Sequence, residues 1–434
     1  MRLKIYFVSI VAAIMLIGCS DSYSVGYSQK TIIEKLQSLP KVSDVHRLQN
    51  LLFADKYQFY VEQPLDHKNP AAGTFKQRVF LIHSSFECPT VFVTEGYGAQ
   101  YAANPFYTEE ISLSLNTNLI FVEHRYFGGS VPENADWKYL TAENSANDHH
   151  RIREIFKEFY KGKWIATGIS KGGVAALIYR TFFPEDVDIT VSYVAPLNRE
   201  KEDSRHEIFL SEVVGTAEER LIIENFQKEV LSRRDELQPK FDSLCTANMY
   251  TFNLPTEEIF DYCVLEFSFA FWQWGNTISE LPNAGSSAHT IFNYFTRIIS
   301  PSYFMEETSY KPFFVQAGRE LGYYGYATEP FTGLLKIEGA EGYLDKIFIP
   351  KAGRFEFDNR LYEKVRNFVA TTDKKMLFIY GEFDPWSAAM VEDPQNSNIV
   401  ILTQPGGNHR TRILTLPYEM RERAVSLIGK WLQE

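Results

Sequence analysis

Short apolar runs, separated by turn residues and amphipathic stretches, mark both ends of this 434-residue chain. The first two, over 57–61 and 75–82, flank a segment holding Pro64, Asp66, Asn69, Pro70 and Gly73, the pattern of an antiparallel hairpin at a sheet edge. Apolar runs over 90–94, 117–122, 163–169 and 188–195 read instead as strands buried on both faces. Helix-period stretches over 144–160 and 174–180 alternate with them, which predicts a parallel, doubly wound sheet. Further strands over 375–380 and 398–402 and a closing helix over 417–432 complete an α/β architecture.

Between these halves the character changes. From 198 to 352 the chain is mostly helical in pattern, acidic and rich in aromatic residues, as expected for a cap inserted before the last strands. Most of these aromatics belong to the interior of the cap. Trp272, Trp274 and the Gly322-Tyr323-Tyr324-Gly325 turn are the candidates to line a cleft beneath it. The expected organisation is a leader over 1–18, a tether and spacer over 19–50, the first part of the sheet domain over 51–197, the cap over 198–352 and the second part over 353–434.

The leader carries Arg2 and Lys4, an apolar run from Ile5 to Ile17, and then Leu16-Ile17-Gly18-Cys19. That is a signal peptide ending in a lipobox, with Cys19 the lipid acceptor that tethers an exported bacterial protein to a membrane, in the periplasm or at the outer membrane. The run is too short to span a bilayer comfortably. Three other cysteines remain, Cys88, Cys245 and Cys263; the last two are near in sequence, and an exported compartment leaves a disulfide between them open. The net charge of -11 and the lack of a basic stripe argue against a nucleic-acid partner. No metal site is expected, because His124 has no companion ligand at suitable spacing and the adjacent His149 and His150 would point about 100° apart on a helix.

The chemistry concentrates at Gly168-Ile169-Ser170-Lys171-Gly172, where a β-run meets a helix. This is the pattern of a nucleophile elbow, a tight corner that lifts a serine hydroxyl above the sheet edge. Asp384 follows a late strand, and His409 lies in the Gly406-Gly407-Asn408-His409 loop after the next. The chain order Ser170, Asp384, His409 is the one that the α/β-hydrolase topology imposes on a triad. In that arrangement Ser170 attacks a carbonyl, His409 takes and returns the proton, and Asp384 orients the imidazole. Glu382 is the rival acid. Backbone N–H groups of Lys171 and of Tyr97 or Gly98, in the Glu95-Gly96-Tyr97-Gly98 loop, are placed to form an oxyanion hole. Glu123 and Arg125 read as a structural ion pair.

These motifs, with Phe183-Pro184-Glu185-Asp186, Glu123-His124-Arg125-Tyr126-Phe127 and Phe271-Trp272-Gln273-Trp274-Gly275, resemble the secreted prolyl tri/tetrapeptidyl aminopeptidase family of serine peptidases over the whole mature chain. They are more distantly similar to the prolyl carboxypeptidase and dipeptidyl peptidase group. The resemblance implies an α/β-hydrolase that releases short peptides, typically tripeptides, from free N-termini without a cofactor, with Ser170, Asp384 and His409 on the triad positions. An aminopeptidase pairs the substrate ammonium with a carboxylate. Glu95 is the first candidate and an acidic cap residue its rival, while a role for Glu95 in bracing its own loop is the alternative. An exported carboxylesterase or lipase would use the same triad, and a non-catalytic surface binding protein would keep the fold alone.

Overall fold

In the computed structural model, which describes residues 31–51, 55–283 and 285–434, the apolar runs become strands whose alternate residues feed two different cores. The strands are β1 (Val42–Leu48), β2 (Asp55–Pro64), β3 (Thr74–His83), β4 (Thr90–Thr94), β5 (Asn118–Val122), β6 (Trp164–Ile169), β7 (Ile189–Tyr193), β8 (Lys375–Gly381) and β9 (Ile399–Gln404). They form one sheet in the order β1-β2-β3-β5-β4-β6-β7-β8-β9. β1, β2, β3 and β5 pair antiparallel in succession, and every pairing from β5–β4 to β8–β9 is parallel. Val91 and Val93 of β4 pack with Leu119 and Phe121 of β5 and with Ile428 and Trp431 of the C-terminal helix. Phe92, Ile120 and Val122 point the other way, onto Ile152, Phe156 and Tyr179 of the helices Ala142–Phe156 and Lys171–Phe182. The two-residue side-chain period of a strand therefore serves a helical layer on each face.

The chain from β7 to β8 builds the cap. Its central helix, Thr256–Gln273, buries 13 of 18 residues, so it is apolar almost all round and other cap elements surround it. Phe226, Phe241, Phe260, Phe267 and Phe295 share its core, and so does Trp386, which comes from the loop after β8. That shared residue ties the cap to the catalytic layer.

Two elements go beyond the sequence reading. In the stretch read as a spacer that packs on the domain with one short helix over 31–36, the helix Ile32–Ser38 buries Ile32 and Leu36, and an additional strand, β1, pairs along β2. β1 escaped the pattern because it is an edge strand with no residue fully buried. Beyond the cap, a helix Arg360–Thr371 packs Val365 and Val369 on Val174, Leu177 and Ile178 of the elbow helix. Cys245 and Cys263 are buried free thiols, and Cys88 is buried. The leader and Cys19 lie outside the described residues, and no described helix is long and apolar enough to cross a membrane.

Candidate active site

β6 ends at Ile169, and Ser170 takes φ 55° and ψ -125°, a backbone conformation that costs a non-glycine residue on the order of 1–3 kcal/mol. The surroundings hold it there. Ser170 N donates to Tyr193 O at 2.8 Å, and Val174 N donates to Ser170 O at 2.9 Å to open the following helix. Gly168 is required by close approach, since a Cβ there would sit 2.2 Å from the Gly172 carbonyl oxygen. The corner thus presents the serine side chain at the C-terminal edge of the parallel strands.

β8 and β9 deliver the other two residues. His409 Nδ1 lies 2.7 Å from Asp384 Oδ2, and Asp384 is fully buried. The second carboxylate oxygen of Asp384 accepts the Trp386 N–H at 3.2 Å, which closes the turn that holds it. Glu382, the rival acid, instead accepts the Gly406 N–H at 2.7 Å and fastens the histidine loop. The cap reaches the same loop: His409 N donates to Gln273 O at 3.1 Å, and the Trp274 ring stands edge-on 6.0 Å from the imidazole. The pair Asp384–His409 is therefore assembled after β8 and β9, which run parallel to the elbow strand β6 in the same sheet.

The oxyanion loop packs directly on the elbow, where a Cβ at Gly96 would lie 2.6 Å from Gly172 N. Lys171 N is the first amide of the elbow helix and has no intrahelical acceptor. Gly98 N has no acceptor among the described residues. The expectation for the Tyr97 amide is corrected, because it donates to Glu95 Oε1 at 3.1 Å and is already spent. Beside it, the buried Lys171 amine donates to Gly96 O at 2.6 Å and lies 5.6 Å from the Tyr97 ring and 5.1 Å from the Phe127 ring. Burial holds this ammonium well below the usual lysine range, against the pull of Glu95 and Glu320.

A cavity opens beside the nucleophile. Its walls include Ser170, Tyr97, Pro196, Asn198, Phe313 and Trp386. Phe313 and Asn198 were not singled out from sequence; a phenylalanine in a cap rich in them carries no distinguishing signal. Of the residues expected in the cleft, Trp274 is 45% exposed beside His409, and Trp272 is buried against Phe383 while lining a separate cap cavity. Tyr323 and Tyr324 are corrected to interior positions. They are 3% and 1% exposed and stand behind Trp386, with the Tyr323 hydroxyl on Tyr303 and that of Tyr324 on Glu266. Burial pushes the Glu266 carboxyl up to about 7.

The expected Glu123–Arg125 pair is also corrected. Both residues lie beyond the end of β5 at Val122, where the strand pattern no longer sets their directions, and Glu123 pairs with Arg78 and also accepts the Ala99 and Gly129 amides, bracing the oxyanion loop. Arg125 grips both oxygens of Asp148 at 2.7 Å. His149 is buried between Phe92 and Tyr179, and His150 pairs with Asp186. His150, Glu154 and Asp186 are the one group of potential metal ligands among the described residues, and all three already have protein partners.

A strained serine, a buried Asp–His pair and unspent amides make an acyl-transfer centre. The chain is 30% identical over 446 aligned residues to a prolyl tri/tetrapeptidyl aminopeptidase of Streptomyces mobaraensis, covering 98% of this chain and 91% of that one. A shorter stretch, 32% of this chain and 31% of the other, is 28% identical to the lysosomal Pro-X carboxypeptidase of Bos taurus. Among solved structures, a proline iminopeptidase of Mycobacterium smegmatis superposes with a TM-score of 0.42 at 11% identity, covering 86% of this chain and 99% of that one. The family model for PS-10 peptidase S37 matches residues 29–433. The chain is a serine peptidase and belongs to the PS-10 peptidase S37 family.

Proposed function

We propose that this protein is an exported, lipid-anchored exopeptidase that releases short peptides, chiefly tripeptides, from free N-termini through an acyl-enzyme on Ser170. The observation that carries the reading is the buried Asp384–His409 pair beneath a cap that hydrogen-bonds the histidine loop, in a chain related end to end to a prolyl tri/tetrapeptidyl aminopeptidase. A chain-end peptidase needs its site roofed, and the cap supplies the roof. The cavity beside Ser170 is walled by Phe313, Trp386 and Pro196, surfaces on which a pyrrolidine ring packs well, and this supports proline before the cut.

In the first half-reaction the Ser170 oxygen attacks the carbonyl carbon while His409 takes its proton. The carbonyl electrons move onto oxygen, facing the Lys171 and Gly98 amides. Collapse expels the new amino terminus, which carries off the proton from His409, and water repeats the sequence to free the acyl group. Asp384 keeps the imidazole in the tautomer that points Nε2 at the serine and stabilises its charged form.

Both Glu95 oxygens already accept donors, the Gly96 and Tyr97 amides on one and the Tyr101 hydroxyl on the other, which favours its bracing role. The rival acidic cap residue is then Glu207. It lines the cap cavity close against Gly325, and has no cation or hydrogen-bond donor among the described residues. Burial and the neighbouring Glu329 push its carboxyl up, so a substrate ammonium would stabilise its charged form.

The test is chromophore release from Ala-Ala-Pro and Ala-Ala-Phe anilides, free and N-acetylated, by the protein and its Ser170→Ala variant. Cleavage confined to free amines and lost in the variant is expected. Cleavage of simple esters with both anilide forms resistant would retire the exopeptidase reading. Release of the protein from membranes by Cys19→Ala tests the anchor, and a cytoplasmic location would overturn export.

A further inference from the structure

We propose that the Tyr97 side chain, rather than its amide, is a catalytic group, with its phenol hydroxyl donating a hydrogen bond to the oxyanion at the Ser170 acyl centre. The sequence pattern points to the backbone of this loop, and the structure redirects attention to the ring. Both the Gly96 and the Tyr97 amides are committed to Glu95 Oε1, at 3.0 and 3.1 Å. The Tyr97 side chain meanwhile lines the same cavity as Ser170. A donor that shares the nucleophile's cavity is placed to meet the oxygen that becomes charged when the serine attacks.

The ring is positioned before any substrate arrives. Phe127, Tyr310 and Phe313 meet it edge-on at centroid separations of 5.7, 5.5 and 5.6 Å, and the Lys171 amine lies 5.6 Å from its centroid. Its backbone is held as well: His124 N donates to Tyr97 O at 3.2 Å, and Lys171 donates to the preceding carbonyl. A hydroxyl held this way needs no reorganisation when charge develops, which is what makes an oxyanion donor effective. Burial raises the phenol well above its usual range, so it stays protonated as a donor through the working pH of a peptidase.

The step balances without any added reagent. Ser170 Oγ bonds to the carbonyl carbon, its proton passes to His409, and the carbonyl electron pair becomes the oxyanion. Tyr97 shortens its hydrogen bond to that oxygen and keeps its own proton. On collapse the pair returns to the carbonyl, the C–N bond breaks, and the amine leaves with the proton from His409.

The inference rests on the serine-nucleophile reading, and Ser170→Ala is the control that separates the two. If Ser170→Ala leaves activity intact, the site itself is misassigned. The informative variant is Tyr97→Phe, which keeps the ring and removes the hydroxyl. We expect kcat on the free Ala-Ala-Pro anilide to fall about 10²-fold, the usual effect of deleting one oxyanion donor. Affinity for the aldehyde of the same tripeptide, which forms a charged tetrahedral adduct, should fall in parallel, while affinity for the product tripeptide stays within about twofold. A kcat within about threefold of wild type overturns the proposal. So does an equal loss of aldehyde and product affinity, which would make Tyr97 a ground-state contact. Should Tyr97→Phe fail to fold, replacement of Tyr97 by 3,5-difluorotyrosine keeps the hydroxyl and changes its acidity; a change in kcat without a change in product affinity supports the donor role, and an unchanged kcat refutes it.

Discussion

Asp384 Oδ2 and His409 Nδ1 face each other at 2.7 Å inside the protein, while Glu382, two residues before the aspartate, turns its carboxylate to the Gly406 amide. Two acids on one turn thus have separate tasks, one on the imidazole and one on the loop that carries it. Asp384→Asn should keep the fold and lower kcat by roughly 10⁴-fold, because the amide favours the wrong imidazole tautomer. Glu382→Gln retains an oxygen for Gly406 and should lose less than about tenfold. Steady-state rates on the free Ala-Ala-Pro anilide decide between them, and equal losses would remove Asp384 from its role.

Gly96 sets the spacing between the oxyanion loop and the elbow. A Cβ there would lie 2.6 Å from Gly172 N and 2.7 Å from Lys171 Cβ, and neither atom belongs to a flexible side-chain end. Gly96→Ala must therefore lift the loop and its donors away from the reacting carbon. A displacement approaching 1 Å costs on the order of 10²-fold in rate. We expect kcat to fall by about that factor with a small change in KM. An unchanged kcat in a protein of normal melting temperature would mean that loop spacing does not matter to the reaction.

The legible parts of this molecule were those in which one local pattern had one physical solution. A β-run ending in Gly168-Ile169-Ser170-Lys171-Gly172 has few folds open to it, and the apolar runs at 90–94 and 117–122 became β4 and β5. β1 left little trace because an edge strand needs no continuous apolar face. Glu123 and Arg125 were paired by proximity, whereas the loop beyond β5 sends them to Arg78 and Asp148, 45 and 23 residues away. The same limit hid the Tyr97 ring and the interior place of Tyr323 and Tyr324. An aromatic residue in sequence says that area will be buried, but the partner comes from tertiary structure.

Glu266 gives the stability a pH dependence of known sign. Its buried carboxyl, met by the Tyr324 and Tyr326 hydroxyls, is pushed from 4.5 to about 7 by desolvation. Below pH 4.5 the folded and unfolded chains are both protonated there. Between 4.5 and about 7 the folded chain holds the proton more tightly, so the stability from this group is lost as pH rises through that window. Glu266→Gln is neutral throughout and lacks the effect. Urea unfolding at pH 5 and pH 8 should show wild type losing up to about 3 kcal/mol relative to the variant. A difference that does not change with pH would mean that the folded carboxyl titrates normally.

The amine requirement divides Glu207 from Glu95. If Glu207 holds the substrate ammonium, Glu207→Gln raises KM for the free Ala-Ala-Pro anilide about 10- to 100-fold, as loss of one desolvated ion pair should, with kcat near wild type. The pH dependence of KM carries the same signature. Above about pH 8 the substrate amine loses its proton, so wild-type KM rises. On the acid side, burial has raised the Glu207 carboxyl, so KM climbs while the pH is still above the usual carboxylate range. Both limbs should vanish in Glu207→Gln, because its amide has no charge to lose. Glu95→Gln should leave the preference for free amines intact and act on kcat, since its oxygens order the Gly96 and Tyr97 amides. If instead Glu95→Gln abolishes the preference and Glu207→Gln preserves it, the ammonium binds at the oxyanion loop, and the cap cavity serves another part of the peptide.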